Sequence, residues 1–161
     1  MATITPFLWF ESQAEEAAEL YVSIFENSKI QSVSRYPEGS PLPMGTAMEV
    51  SFTLDGVDFQ AINGGAAFTF NEAISFAVTA NTQQKIDRLW DALTTGGGSP
   101  SQCGWVKDRF GVSWQIVPTV LGELLGGSDP EVASRVMRAM LTMTKLDIAE
   151  LISAGASEIA V

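Results

Sequence analysis

The chain has 161 residues, 46% hydrophobic and 17% charged, with 19 acidic side chains against nine basic ones and a net charge of −10. That length and composition fit one folded domain with a sizeable core and exclude a disordered chain, while the acidic balance argues against nucleic acid as a partner. No apolar run reaches the length of a membrane span, and the complete absence of histidine removes the commonest metal ligand and the usual general base near neutral pH.

Thr3 to Phe10 is apolar and rich in β-formers, which predicts a first strand. Ser12-Gln13-Ala14-Glu15 has the spacing of a capping box, and Ala14, Ala17, Ala18, Tyr21 and Phe25 then follow one helical face. Asn27 and Ser28 break that helix, and Lys29 to Arg35 alternates as a strand. Pro37 to Gly45 holds three prolines and two glycines and reads as a loop. Ala47 to Leu54 and Val57 to Asn63 are strands joined by Asp55-Gly56, a hairpin signal, and Gly64-Gly65 closes the unit.

The order then restarts. Ala73 to Thr79 is β-like, and Asn81 or Thr82 caps a helix with Ile86, Leu89, Trp90 and Leu93 on one face. Gly96-Gly97-Gly98 ends it. Gln102 to Lys107 is strand-like, and Phe110 to Pro118 is a second strand dense in branched and aromatic residues. This last strand echoes Val57 to Asn63. Gly56 and Gly111 are 55 positions apart, and so are Gln60 and Gln115. Both halves therefore read as strand, helix and about three strands.

The expected fold is α+β: two tandem βαβββ modules, residues 1–65 and 72–118, forming a curled mixed sheet around a cavity. Residues 119–161 add C-terminal helices, all within a single domain 1–161. In that tail, Leu121 to Leu125 suggests a short helix, and Asp129-Pro130 starts another with Val132, Val136, Ala139, Met140 and Met143 on one stripe. Thr144 is placed to cap a last helix through Leu146, Ile148 and Leu151. These helices have no counterpart in the repeat and should cover a sheet face or a subunit boundary.

The pattern resembles the vicinal oxygen chelate superfamily of glyoxalase I, bleomycin-resistance proteins and extradiol dioxygenases. It is most similar to the PhnB-like family, often labelled 3-demethylubiquinone-9 3-methyltransferase. Thr5-Pro6-Phe7-Leu8-Trp9-Phe10, Ile62-Asn63-Gly64-Gly65, Asn71-Glu72-Ala73-Ile74-Ser75-Phe76, Gln102-Cys103-Gly104-Trp105 and Gly111 to Pro118 carry the likeness, and Met140 to Leu151 also fits. In metal-dependent members, the first and last strands of each module supply the ligands of a divalent ion. Matched motif to motif, those positions fall at or near Thr5 and Ala73 and on Gln60 and Gln115. Two neutral amides, a threonine and an alanine bind a transition metal poorly. The expectation is therefore a lost ion site and no cofactor.

Within that resemblance, Gln60 and Gln115 would anchor a polar group of a small, partly apolar or aromatic ligand. Thr5, Phe7, Trp9, Asn63, Ser75 and Trp105 would complete the site. The bland alternatives are buried strand ends for the glutamines and core or dimer packing for Trp9, Trp105 and Trp114. Lone Cys103 has no histidine to activate it and reads as a buried, inert thiol, consistent with a reducing compartment. The acids Glu49, Asp55, Asp58, Glu72 and Asp108 fall at turns or on solvent faces, so no catalytic residue is assigned.

Three functions stay open: a metal-free small-molecule binder, an enzyme using Gln60, Gln115, Asn63 or Ser75 in the same cavity, and the methyltransferase of the family label. A homodimer is expected from the resemblance. A cytoplasmic protein without signal peptide or membrane segment is expected from the sequence.

Overall fold

The computed structural model describes residues 2–156. Its contacts divide the chain between Phe70 and Asn71 into two compact units. Met1 and residues 157–161, which the expected domain includes, lie outside the described residues.

The first unit runs β1 (Phe7–Phe10), α1 (Ala14–Ile24), β2 (Lys29–Arg35), β3 (Ala47–Leu54) and β4 (Val57–Asn63). Its sheet has the order β1-β4-β3-β2, with β1 parallel to β4 and the other pairs antiparallel. The second unit runs β5 (Phe76–Ala80), α2 (Gln83–Thr94), β6 (Ser99–Pro100), β7 (Trp105–Lys107) and β8 (Ser113–Pro118), then α3 (Thr119–Gly126), α4 (Pro130–Leu141) and α5 (Ile148–Ala156). Its sheet order, β5-β8-β7-β6, repeats the first with the same parallel pair. Two βαβββ modules are therefore present, as the 55-residue echo predicts.

In each unit one sheet face packs on the helix. Leu8, Phe10, Val50, Phe52, Phe59 and Ala61 are buried with Ala14, Ala17, Ala18 and Tyr21 of α1. Val106, Trp114 and Ile116 are buried with Ile86, Leu89, Trp90 and Leu93 of α2. Side chains alternate across a strand, so Gln60 and Gln115 project from the opposite faces, helix-free in that neither α1 nor α2 covers them, with Val117 at the end of β8 meeting the tail helices.

The local signals are realised unevenly. Asp55 and Gly56 both have positive φ, the geometry of a tight hairpin turn. Thr82 caps α2 by accepting from the Lys85 N–H, and Asp129 caps α4. The capping box at Ser12 does not form. The cap residue of α1 is Gln13, which makes no side-chain cap, and Asn63 Oδ1 on β4 accepts from the Ala14 N–H instead. A neighbouring strand end supplies the acceptor that the local serine was expected to give. The last helix is capped by Asp147, not Thr144, with the Glu150 N–H on its carboxylate.

Strand boundaries shift too. The first strand begins at Phe7, not Thr3, and β5 begins at Phe76, not Ala73. The Pro6 carbonyl still accepts from the Gln60 N–H just ahead of β1, whereas the Asn71–Ile74 turn, where Asn71 Oδ1 accepts from the Ala73 N–H, precedes β5.

The tail packs within the second unit. Leu121, Val136, Met143, Leu146 and Leu151 make a core of their own, with Val117 of β8 against it. Gln83, in the first turn of α2, donates to the Leu146 carbonyl (3.2 Å) and accepts from the Ile148 N–H (2.9 Å). The Cys103 and Gly104 N–H groups donate to the Met143 and Thr144 carbonyls. Gly104 has φ +82, and a Cβ there would sit 2.7 Å from the Ile116 carbonyl oxygen, so this turn requires glycine.

Candidate functional site

The two glutamines occupy the same register position in their modules. Gln60 lies beside Phe7 of the parallel first strand, and Gln115 lies beside Ala77. Each is half-buried on the helix-free face. Gln60 Nε2 donates to Glu49 Oε1 at 3.2 Å, and Gln115 Nε2 donates to Ser75 Oγ at 2.8 Å. Among the described residues the carbonyl oxygen of neither amide accepts a hydrogen bond, so each keeps an acceptor for something else.

Module one surrounds its glutamine with aromatic surface. Phe7 is 51% exposed. Trp9 donates its indole N–H to the Gly65 carbonyl at 2.9 Å and meets Phe68 edge-on at 5.0 Å between centroids. Gly64 lies under the Trp9 ring: a Cβ there would be 2.1 Å from it. The Ile62-Asn63-Gly64-Gly65 motif thus fixes Trp9 in place.

Module two is smaller and more polar around its own glutamine. Cross-strand pairing puts Trp105 opposite Gln115 and Lys107 opposite Ser113 on that face. Lys107 forms an ion pair with Glu72, whose carboxyl is held below the usual carboxylate range chiefly by that hydrogen bond. Ser113 is 2% exposed, and its hydroxyl has no hydrogen-bond partner among the described residues.

The expected roles of Asn63, Asp108 and Cys103 change, while Trp114 takes its expected alternative in the core. Asn63 is not on the helix-free face. It is 1% exposed, and besides capping α1 it donates Nδ2–H to the Ala47 carbonyl at 2.9 Å. Its side chain is committed to the fold. Trp114 is in the helix-side core, with its indole N–H on Asp108 Oδ2. Asp108 is itself buried, not solvent-facing, and also accepts from the Phe110 and Val112 N–H groups. Cys103, expected as a buried thiol, is half-exposed in a turn with φ +57.

Thr5 precedes β1, and Ala73 lies in the turn before β5. The first-strand neighbours of the glutamines are Phe7 and Ala77, which offer no electron pair to a metal. The carboxylate next to either glutamine, Glu49, already accepts from Gln60. Among the described residues no three His, Cys, Asp or Glu side chains converge. The donor set does not fit the divalent ion of the metal-dependent relatives.

The family described as 3-demethylubiquinone-9 3-methyltransferase matches residues 2–117. The chain belongs to this family. The PhnB protein of Bacillus cereus, described by that same activity, is 38% identical, with 73% of this chain and 100% of that chain aligned at a TM-score of 0.68. Protein PA1353 of Pseudomonas aeruginosa is 21% identical over 73% and 98% of the two chains, with a TM-score of 0.59. The fosfomycin resistance protein FosX of Mesorhizobium loti, 12% identical over 78% and 98%, has a TM-score of 0.55 and shows the shared fold. No protein of curated function matches the chain. The fold is that of the vicinal oxygen chelate superfamily, and residues 118–161 fall outside the family match.

Proposed function

We propose that this family member binds a small, partly aromatic or apolar molecule without a metal, on the helix-free face of a module, at Gln60 or at Gln115 within its own unit. The observation that carries the reading is the paired amides: same register in both modules, one N–H engaged, the carbonyl left over. Phe7 and Trp9 offer flat surface for stacking beside one of them. Trp105 and Ser75 do so, with a hydroxyl, beside the other.

The methyl transfer named in the family label has weaker support. β1 runs into α1 through Glu11-Ser12-Gln13, and β5 into α2 through Asn81-Thr82. Neither turn holds the glycines by which a nucleotide-type cofactor approaches a helix start. Among the described residues no helix is long and apolar enough to cross a membrane, and a cytoplasmic homodimer belongs to the same proposal.

Native mass spectrometry of freshly purified protein tests all of this at once. The expected spectrum is a dimer carrying a small organic adduct and no divalent ion. One tightly held divalent ion per chain would overturn the metal-free reading, and a monomer would remove the dimer. Incubation that converts the adduct would move the reading from binder to enzyme.

A further inference from the structure

Glu72, Ser99, Ser101, Trp105, Lys107 and Ser113 line a cavity of about 150 Å³ in the second unit. Two features of it have no role in holding the fold. One is the Ser113 hydroxyl, buried and without a partner among the described residues. Buried hydroxyls are normally bonded, so an unpaired one on a residue that lines a cavity calls for a ligand or a water. The other is the Glu72–Lys107 pair at the rim, whose side chains are 63% and 37% exposed. An exposed ion pair contributes little to stability. Here it places one anion and one cation on a single small pocket.

We propose that this pocket takes the head group of a compact zwitterion, an amino-acid-like molecule with adjacent ammonium and carboxylate groups. The proposal deepens the binding function above and rests on the helix-free face being a ligand face.

The charges select the class. A simple anion at Lys107 would meet the Glu72 carboxylate, on a chain of net charge −10. A simple cation at Glu72 would meet the Lys107 ammonium. A molecule with both signs splits the pair and satisfies each partner, its carboxylate on Lys107 and its ammonium on Glu72. The Ser113 hydroxyl at the floor then donates to the ligand carboxylate. The volume is equivalent to roughly five waters in the liquid and smaller than a drug-sized site, so it admits a head group and little else. The remainder of the ligand lies along Trp105.

The test uses the uniformly ¹⁵N-labelled full chain, titrated at constant ionic strength with glycine, and separately with acetate and methylammonium. The expected result is saturable shifts at the Trp105 indole and Ser113 backbone N–H groups. Glycine should act at a concentration at least tenfold below either single-charge control. Ser113→Ala should weaken glycine about tenfold while the spectrum stays dispersed. Glu72→Gln should raise the response to acetate, and Lys107→Met the response to methylammonium. Equal responses to glycine and acetate, or silence at Trp105 and Ser113, would overturn the proposal. A neutral or apolar adduct in the mass spectrum beside a silent glycine titration would sink the zwitterion and leave the binding function standing.

Discussion

The two modules share strand order and a central glutamine, yet they use the same strand end for opposite purposes. Asn63 ends β4 beside Phe10, and Pro118 ends β8 beside Ala80, 55 residues later. Asn63 turns back into its own module, capping α1 and bonding the Ala47 carbonyl. Pro118 has no such side chain and instead leads directly into α3. The second module lets α2 cap itself through Thr82 and is tied to the tail by Gln83. A duplicated architecture thus keeps its strand order and diverges at strand ends, where one side chain decides what is anchored.

The faces diverge in the same way. Position 58 of the first module is Asp58, exposed and bonded to Gln31 and Thr53. Its counterpart Ser113 is buried, and its hydroxyl has no partner among the described residues. The first module offers aromatic surface around its glutamine, and the second a small charged cavity.

The sharpest way to break the comparison is to remove the anchor. Asn63→Leu leaves the Ala14 N–H and the Ala47 carbonyl buried without partners, at a cost of about 2–4 kcal/mol. The equivalent cap in the other module is exposed, so Thr82→Ala should cost about 1 kcal/mol. Urea unfolding followed by tryptophan fluorescence would compare them. Equal losses would mean that the strand end is not what holds α1.

Much of the architecture was legible because period-two and helical patterns report burial directly. The α2 face of Ile86, Leu89, Trp90 and Leu93, the Asp55-Gly56 hairpin and the two glutamine strands all follow from spacing. What escaped depends on partners far along the chain. Asn63 caps a helix that starts 49 residues before it, and nothing local distinguishes it from a strand-end polar residue. Asp108 looked like a turn acid, yet it is buried because two backbone N–H groups and the Trp114 indole bond it. The available signal is the mismatch of Asn63 with Pro118 at the end of the repeated strand.

A smaller effect sharpens the contrast in how the helices are held. Gln83→Ala removes two hydrogen bonds from α2 to the tail, at Leu146 and Ile148, for about 1–2 kcal/mol. Amide exchange should accelerate at Ile148 and Leu151 and stay unchanged in β3 and β4. Uniform acceleration over both modules would show that the tail opens only with global unfolding.

The smallest expected effect lies next to Gln83 and depends on pH. Lys145 pairs with Asp87 at 2.7 Å, and that hydrogen bond, followed by the one from Gln83, holds the Asp87 carboxyl below its ordinary range. A carboxyl whose pKa is depressed on folding adds stability above its unfolded pKa and loses it as pH falls through the folded value. The pair is half-exposed, so salt should screen it. Lys145→Met should therefore lower the melting temperature slightly at neutral pH and low salt. The difference from the native chain should fade below about pH 4, where aspartate normally protonates, and fade likewise in high salt. Because the Glu72–Lys107 pair titrates in both proteins, it cancels from the difference. A gap that persists unchanged into acid would mean that Lys145 acts through the packing of its alkyl stem and not through its charge.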